Sequence, residues 1–158
     1  VDKKTGLPNR EKLNIYIGEM AGKVLPEAFT CFTLSLDNLS ELTKRFGYTV
    51  GDGVLKDFAG LVQLMGDTEG MRGYNGVGRF VVFFEECSSK KAAAMIRILD
   101  NQVEEYNSLN PEYPIRYTAA WATTEETDTY EIRELLRLSQ KKWKQMEKEK
   151  KDKTEEET

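Results

Sequence analysis

Residues 71–84 (MRGYNGVGRFVVFF) constrain the fold more than any other stretch. Two runs rich in β-branched and aromatic residues flank Asn75-Gly76, a dipeptide that readily takes the positive φ a tight antiparallel turn demands. A chain that carries such a hairpin between helices cannot close into an all-parallel, doubly wound sheet. Phe29 to Leu36, preceded by Pro26, reads as a central strand with Thr30, Phe32, Leu34 and Leu36 on one face, and Ile115 to Thr123 as another. Helical spacing appears in Leu13, Tyr16 or Ile17, and Met20, which predicts a first helix stopping near Gly22. Asn38 to Phe46 predicts a second, broken at Gly47. Asp52 is expected to open a third, with Val54, Phe58, Leu61 or Val62, and Met65 as its stripe and Gly66 at its end. Ser88 starts a long helix (Ala92, Ile96, Leu99, Val103, Tyr106) that ends in the Asn110-Pro111 to Pro114 loop. A last helix is expected from near Asp128 through Ile132, Leu135, Ser139, Trp143 and Met146. The order is helix, β, α, α, β-hairpin, α, β, α, which implies an α+β layer with helices packed on one sheet. The domain is read as residues 1–146, with the charged tail 147–158 frayed or disordered.

Composition narrows the chemistry. There are 27 acids against 23 bases, so the formal charge is −4 and no basic footprint for duplex nucleic acid is present. With no histidine in the chain, Ser-His-Asp and Cys-His catalysis and His-ligated zinc are excluded, leaving carboxylates, Lys/Arg or a metal. Cys31 and Cys87 are far apart and form no CxxC, so buried free thiols in a reducing cytoplasm are expected. No segment reaches the ~18 to 20 apolar residues that span a bilayer, and no signal peptide is visible. The abrupt start at Val1-Asp2-Lys3-Lys4 suggests a piece of a longer parent, itself cytoplasmic here and able to carry a membrane anchor elsewhere.

Three motifs then carry a resemblance: Asp2-Lys3-Lys4-Thr5-Gly6-Leu7-Pro8-Asn9-Arg10, Gly51-Asp52-Gly53-Val54-Leu55, and Gly76-Val77-Gly78-Arg79-Phe80 at the hairpin turn. In this order and spacing the chain resembles the GGDEF family of diguanylate cyclases, over residues 2 to 146. The resemblance implies a palm similar to nucleotidyl cyclases, a central mixed, mostly antiparallel sheet with helices around it. It further implies two GTP-loaded domains face to face, each 3′-hydroxyl attacking the partner's α-phosphate to form cyclic di-GMP and pyrophosphate. Such chemistry needs Mg²⁺ on carboxylates.

The family's positions are poorly filled. Its metal-binding Asp on the first strand falls on Ser35, and the acidic pair of the signature on Gly78 and Arg79. Asp37 lies two residues on, ~6 to 7 Å along a strand from Ser35, and reads better as an N-cap than as a replacement ligand. Arg79 is open to two readings: an exposed strand residue paired with a local acid, or a cation replacing metal beside a bound nucleotide. The guanine-binding pair falls on Thr43 and Asp52, and Asp52 reads equally as a base acceptor or an N-cap. The basic residue before the signature is Tyr74, the phosphate-contacting Lys of the last helix is Glu147, and Lys148, Lys150 and Lys151 are read as facing elsewhere. The Arg-x-x-Asp inhibitory site is replaced by Asp67-Thr68-Glu69-Gly70, with Arg72 nearby read as a solvated strand residue, and the family's His by Tyr48. Trp121 and Trp143 are expected to cover sheet and helix surfaces, and the family's final strand is missing.

The expectation is a degenerate, catalytically inactive regulatory domain of a bacterial cyclic di-GMP signalling protein, acting by dimerisation and relay or by GTP sensing. Its partners would be GTP, the other domains of its parent, or a second copy, with no duplex DNA and no membrane contact. No cofactor is expected. Mg²⁺ enters only under the alternative of a cyclase with relocated ligands, Asp37 together with Glu85 or Glu86. A cyclic di-GMP receptor would need an arginine-based site that the sequence does not show.

Overall fold

The structure is a computed structural model that describes the chain apart from residues 67, 68 and 158. Its elements are α1 (Arg10–Met20), β1 (Thr30–Leu36), α2 (Leu39–Phe46), α3 (Tyr48–Gln63), β2 (Met71–Tyr74), β3 (Arg79–Phe84), α4 (Ser89–Leu109), β4 (Tyr117–Thr123), α5 (Thr124–Thr127) and α6 (Ile132–Glu157). The four strands form one sheet in the order β2-β3-β1-β4, and every pairing is antiparallel, where the sequence reading allowed a mixed sheet.

Because β1 lies inside the sheet and helices cover both faces, all seven of its residues are buried. Phe32, Leu34 and Leu36 point to one core with Phe58 of α3, Phe80 and Val82 of β3, and Leu99 of α4. Cys31 points to the other, with Leu13 and Ile17 of α1, Val81 and Phe83, and Ile132 and Leu135 of α6. Alternation along a strand thus sends Thr33 and Ser35 toward α6 as well. Each is matched there, since the hydroxyls of Thr33 and Ser139 lie 2.8 Å apart and Trp143 reaches Ser35.

The hairpin is wider than a two-residue turn. Gly76, Val77 and Gly78 all have positive φ (83°, 54° and 75°), and the amide of Asn75 donates to the Arg79 carbonyl at 2.8 Å across the loop. Val77 pays the steric cost of a left-handed side chain and stands 86% exposed at the tip. The Pro8-Asn9-Arg10 motif explains how this loop is held: the Pro8 carbonyl accepts from the Tyr74 amide at 2.9 Å, and the Arg10 guanidinium donates to the Asn75 carbonyl at 2.5 Å and to its side-chain oxygen at 3.3 Å. Asn9 caps α1 through the Lys12 amide at 3.0 Å.

Three boundaries correct the sequence reading. Asp52 does not open a helix, because Gly47 (φ 92°) alone separates α2 from α3 and the helix restarts at Tyr48. Asp37 is not a cap either: Asn38 holds the N-cap position, and its side chain ties the chain before β4 instead, donating to the Pro114 carbonyl at 2.7 Å and accepting from the Arg116 amide at 3.1 Å. The last helix starts at Ile132 rather than near Asp128, after a short α5 stopped by left-handed Asp128, and it is assigned as helix to Glu157.

Arg72 is the fourth correction. It is 4% exposed, not solvated, and its guanidinium donates to the carbonyls of Val62 at 3.2 Å, Met65 at 2.6 Å and Gly70 at 3.4 Å while stacking on Phe84. A cation at the end of α3 satisfies carbonyls that the helix cannot and matches its dipole.

Candidate functional site

The C-terminal end of β1 builds the site. Ser35 pairs directly with Arg79 of β3 on one side and with Thr118 of β4 on the other, so the three side chains form one row facing α6. Asp37, two residues on, faces the same way. Two donors of α6 meet this row. Trp143 donates its indole N–H to the Ser35 Oγ at 2.7 Å, and Lys150, two turns later, donates to the Thr118 Oγ1 at 3.2 Å and the Tyr117 carbonyl at 2.7 Å. The hydroxyls pass these bonds on: Ser35 donates to one carboxylate oxygen of Asp37 at 2.6 Å and Thr118 to the other at 2.5 Å. Asp37 is therefore the hub of a two-legged clamp that docks α6 on the sheet.

Arg79 lies with its guanidinium 4.7 Å over the ring of Trp143. Among the described residues it has no acidic partner, so the expected pairing with a local acid is replaced by stacking on an indole. An open cleft of about 1120 Å³ lies along this row, lined by Asp37, Arg79, Arg116, Trp143, Lys150 and Lys151 among others. Lys150 and Lys151 thus face the cleft, contrary to the sequence reading, while Glu147 in the family's Lys position is also on its wall and pairs with Lys151 at 3.4 Å. Burial, and then the bond and charge of Asp100, push the Tyr117 phenol well above its ordinary range, which keeps it a neutral donor in this charged neighbourhood.

The residues present do not fit the Mg²⁺ that the family's chemistry uses. Both oxygens of Asp37 already accept from hydroxyls, and the cations Arg79, Arg116, Lys150 and Lys151 line the cleft around that carboxylate. Gly78 brings no side chain, and a Cβ there would come within 3.1 Å of the Leu36 carbonyl. A hard divalent cation requires several free oxygen ligands. Among the described residues no three His, Cys, Asp or Glu side chains converge as a ligand set. Register places Glu85 and Glu86 away from this row: Thr30 pairs with Phe84, so both glutamates follow the opposite end of β3, ~20 Å from Arg79 at 3.4 Å per residue. They line a separate cavity of about 590 Å³ with Glu69 and Lys91.

The base side is brought together differently. Gly51 packs against Thr43 so closely that a Cβ would lie 2.3 Å from its hydroxyl, which sets Thr43 beside the start of the Asp52 turn. Asp52 is half exposed and pairs with Lys4 at 3.4 Å. Neither residue lines the cleft at Ser35; of the three predicted nucleotide contacts only Arg79 does. Tyr74, in the place of a basic residue, is buried, and its hydroxyl accepts from the Gly78 amide at 2.8 Å, fixing the hairpin loop from inside. Burial raises its phenol pKa, and the Gly78 bond opposes that shift. Of the inhibitory stretch, Asp67 and Thr68 lie outside the described residues.

Sequence reasoning missed Trp143, Thr118, Lys150 and Arg116. One signal for the first was present: Ser139 interrupts the apolar stripe Ile132, Leu135, Trp143, and a hydroxyl on a core-facing stripe needs a partner in the opposing strand.

A single antiparallel sheet with helices on both faces and a cleft at the end of its first strand, beside a glycine-rich hairpin, defines a palm of the nucleotidyl-cyclase kind. The chain belongs to the GGDEF family: the family model described as diguanylate cyclase, GGDEF domain, matches residues 1–153. Among solved structures it is similar to the active GGEEF domain of a diguanylate cyclase from Vibrio cholerae (20% identity, 77% of each chain covered, TM-score 0.68). It is also similar to a diguanylate cyclase/phosphodiesterase from Caldicellulosiruptor saccharolyticus (19%, 92% of this chain and 86% of that one, TM-score 0.67). A third likeness is to the GGDEF domain of DgcB from Caulobacter crescentus in complex with c-di-GMP (17%, 77% and 75%, TM-score 0.61). No curated protein matches the chain in sequence. Among the described residues no helix is long and apolar enough to cross a membrane.

Proposed function

We propose that this domain is a catalytically inactive, regulatory member of the cyclic di-GMP signalling family, serving as a dimerisation or relay module for the other domains of its parent. The observation that carries this reading is the clamp. The position that should present a metal-binding carboxylate is a Ser35 hydroxyl committed on both sides, to the Trp143 indole at 2.7 Å and to Asp37 at 2.6 Å, and the neighbouring signature position is a guanidinium stacked on that same indole. Two-metal activation of a 3′-hydroxyl requires anions at these points. Here they are a neutral hydroxyl and a cation.

A second reading, GTP sensing without turnover, is favoured by the guanidinium of Arg79 in the cleft, which has no acidic partner among the described residues and can hold phosphate through paired N–H donors. Asp52 would accept from the base in that case. Two measurements on the purified protein decide between these readings and the cyclase alternative. Incubation with GTP and Mg²⁺ is expected to release no pyrophosphate and yield no cyclic di-GMP; product above a no-protein control would overturn the inactive assignment. Calorimetric titration with GTP is expected to give the same result with and without Mg²⁺. Absence of heat in both supports the relay module, saturable heat in both supports metal-independent sensing, and heat that needs Mg²⁺ contradicts both.

A further inference from the structure

The clamp that docks α6 has unequal legs. The first, Trp143 to Ser35, is buried, with Trp143 6% exposed and Ser35 4%. The second, Lys150 to Thr118 and Tyr117, lies at the surface. Between and beyond them α6 changes character. Up to Trp143 it buries Ile132, Leu135 and Ser139, whereas from Lys144 to Glu155 no residue is buried and only Glu147 is even half-buried. Residues 144–157 are a helix of ~21 Å with no apolar face on the sheet.

Such a segment has little to hold it by itself. Within it, Gln145 bonds Glu149 at 3.1 Å and Glu147 pairs with Lys151 at 3.4 Å, weak local contacts on an exposed helix. Its last turn is acidic and contains no base, which opposes the helix dipole. Lys150 is different in kind, because its ammonium reaches into the sheet. β4 is an edge strand, Tyr117 turns its carbonyl away from β1, and Lys150 donates to that carbonyl and the Thr118 hydroxyl while its ammonium lies over the Tyr117 ring, 5.9 Å from the centroid. Through Thr118 it also sets a positive charge one hydrogen bond away from Asp37, on the sheet row where the family's metal chemistry would need one.

We propose that residues 147–157 form a latch, hinged after Trp143 and closed by Lys150 on the β4 edge, whose release opens the side of the cleft that leads to Arg79 and Arg116. The buried leg keeps α6 docked when the latch opens, so the motion is confined to the distal helix. The same geometry makes Lys150 a positioning residue for Thr118, and through it for Asp37. The inference stands on the packing of α6 and is independent of whether the cleft takes GTP.

Backbone amide hydrogen exchange on the full chain tests it. Lys150→Met keeps the aliphatic stem and removes the donor; Lys148→Met makes the same charge change at an exposed site of the same helix. Lys150→Met is expected to speed exchange of residues 147–157 by about tenfold, with β1, β4 and residues 132–143 unchanged and the thermal midpoint preserved. Lys148→Met is expected to match the unmodified protein. Equal exchange in the Lys150→Met and unmodified proteins would overturn the latch. So would acceleration that extends through β4 and the first half of α6, since Lys150 would then support the whole domain, or an equal acceleration in Lys148→Met, which would make the effect one of helix charge alone.

Discussion

Ser35→Ala removes the middle of the buried leg and nothing else, since the β-carbon stays. Its cost can be worked from two bonds. The Trp143 indole N–H loses a 2.7 Å acceptor at a site where the residue is 6% exposed, and an unsatisfied buried donor costs ~1–3 kcal/mol. Asp37 loses a donor at 2.6 Å, but it is partly open to the cleft and water can replace the hydroxyl, so this adds ~1 kcal/mol. The sum is ~2–4 kcal/mol. For a domain of 158 residues that corresponds to a fall in thermal midpoint of roughly 5–15 °C. Urea unfolding followed by fluorescence, with Trp121 as the retained probe, measures it in the single variant, in Trp143→Phe and in the pair. The double variant should cost less than the sum of the singles by ~1–3 kcal/mol, because each single leaves the other's partner stranded. Additive effects, or a Ser35→Ala change below ~0.5 kcal/mol, would show that the indole and hydroxyl are neighbours rather than partners. Ser35→Asp supplies the functional counterpart: the restored carboxylate faces Asp37 and should destabilise the protein, and millimolar Mg²⁺ should fail to restore it. Recovery with Mg²⁺ would mean that a metal site can be rebuilt from one residue, contrary to the reading of Gly78 and Arg79.

Arg72→Met strands the carbonyls of Val62 and Met65 and is expected to cost about 2–4 kcal/mol in urea unfolding, a loss that a solvated strand residue would not produce. Arg79→Glu puts back one acid of the signature and is expected to give no product from GTP and Mg²⁺, because Ser35 and Gly78 still offer no ligand; chromatographic detection of cyclic di-GMP would contradict this. Burial pushes the Cys31 thiol from its ordinary value near 9 up to about 12, against an opposing hydrogen bond with Ser139. The sign follows from proton binding: between those values the folded state keeps the proton that the unfolded state loses, so this contribution to stability is intact below pH 9 and lost as pH rises toward 12. Urea midpoints measured across that range should fall in the unmodified protein and fall less in Cys31→Ala, and the native thiol should resist disulfide reagents at pH 8.

What the sequence disclosed was what is local. The hairpin followed from Asn75-Gly76 between apolar runs and β1 from Phe29 to Leu36, since each depends on neighbours within a few residues. Counting from the motifs also reached Ser35, Gly78 and Arg79, because spacing along the chain is all such a count requires. The errors share the opposite property. Arg72 looked like a surface base until Val62 in α3, ten residues back, and Met65 just past that helix supplied carbonyls to it. Asp52 looked like a cap because Gly47, which performs the break, leaves no side-chain signature of where the next helix resumes. The bonds of Lys150 to Tyr117 and Thr118, 33 and 32 residues away, likewise leave no trace in a run of charges.

The same distinction bears on what an altered signature means. A missing carboxylate is legible as a loss, and read alone it describes a damaged enzyme. The structure places Ser35 between Trp143, 108 residues away, and Asp37, while Thr118, 81 residues from Asp37, repeats that arrangement on the next strand with Lys150 as its donor. Reverting Ser35 to Asp would therefore not leave a vacancy to fill with metal; it would break two satisfied hydrogen bonds and set two like charges side by side. Such an arrangement resists reversion one residue at a time, since each acid added alone lowers stability before a second could make a site. At the positions where the family carries its metal ligands, this chain has instead a joint between its sheet and its last helix, with one leg buried at Trp143 and Ser35 and the other exposed at Lys150 and Thr118.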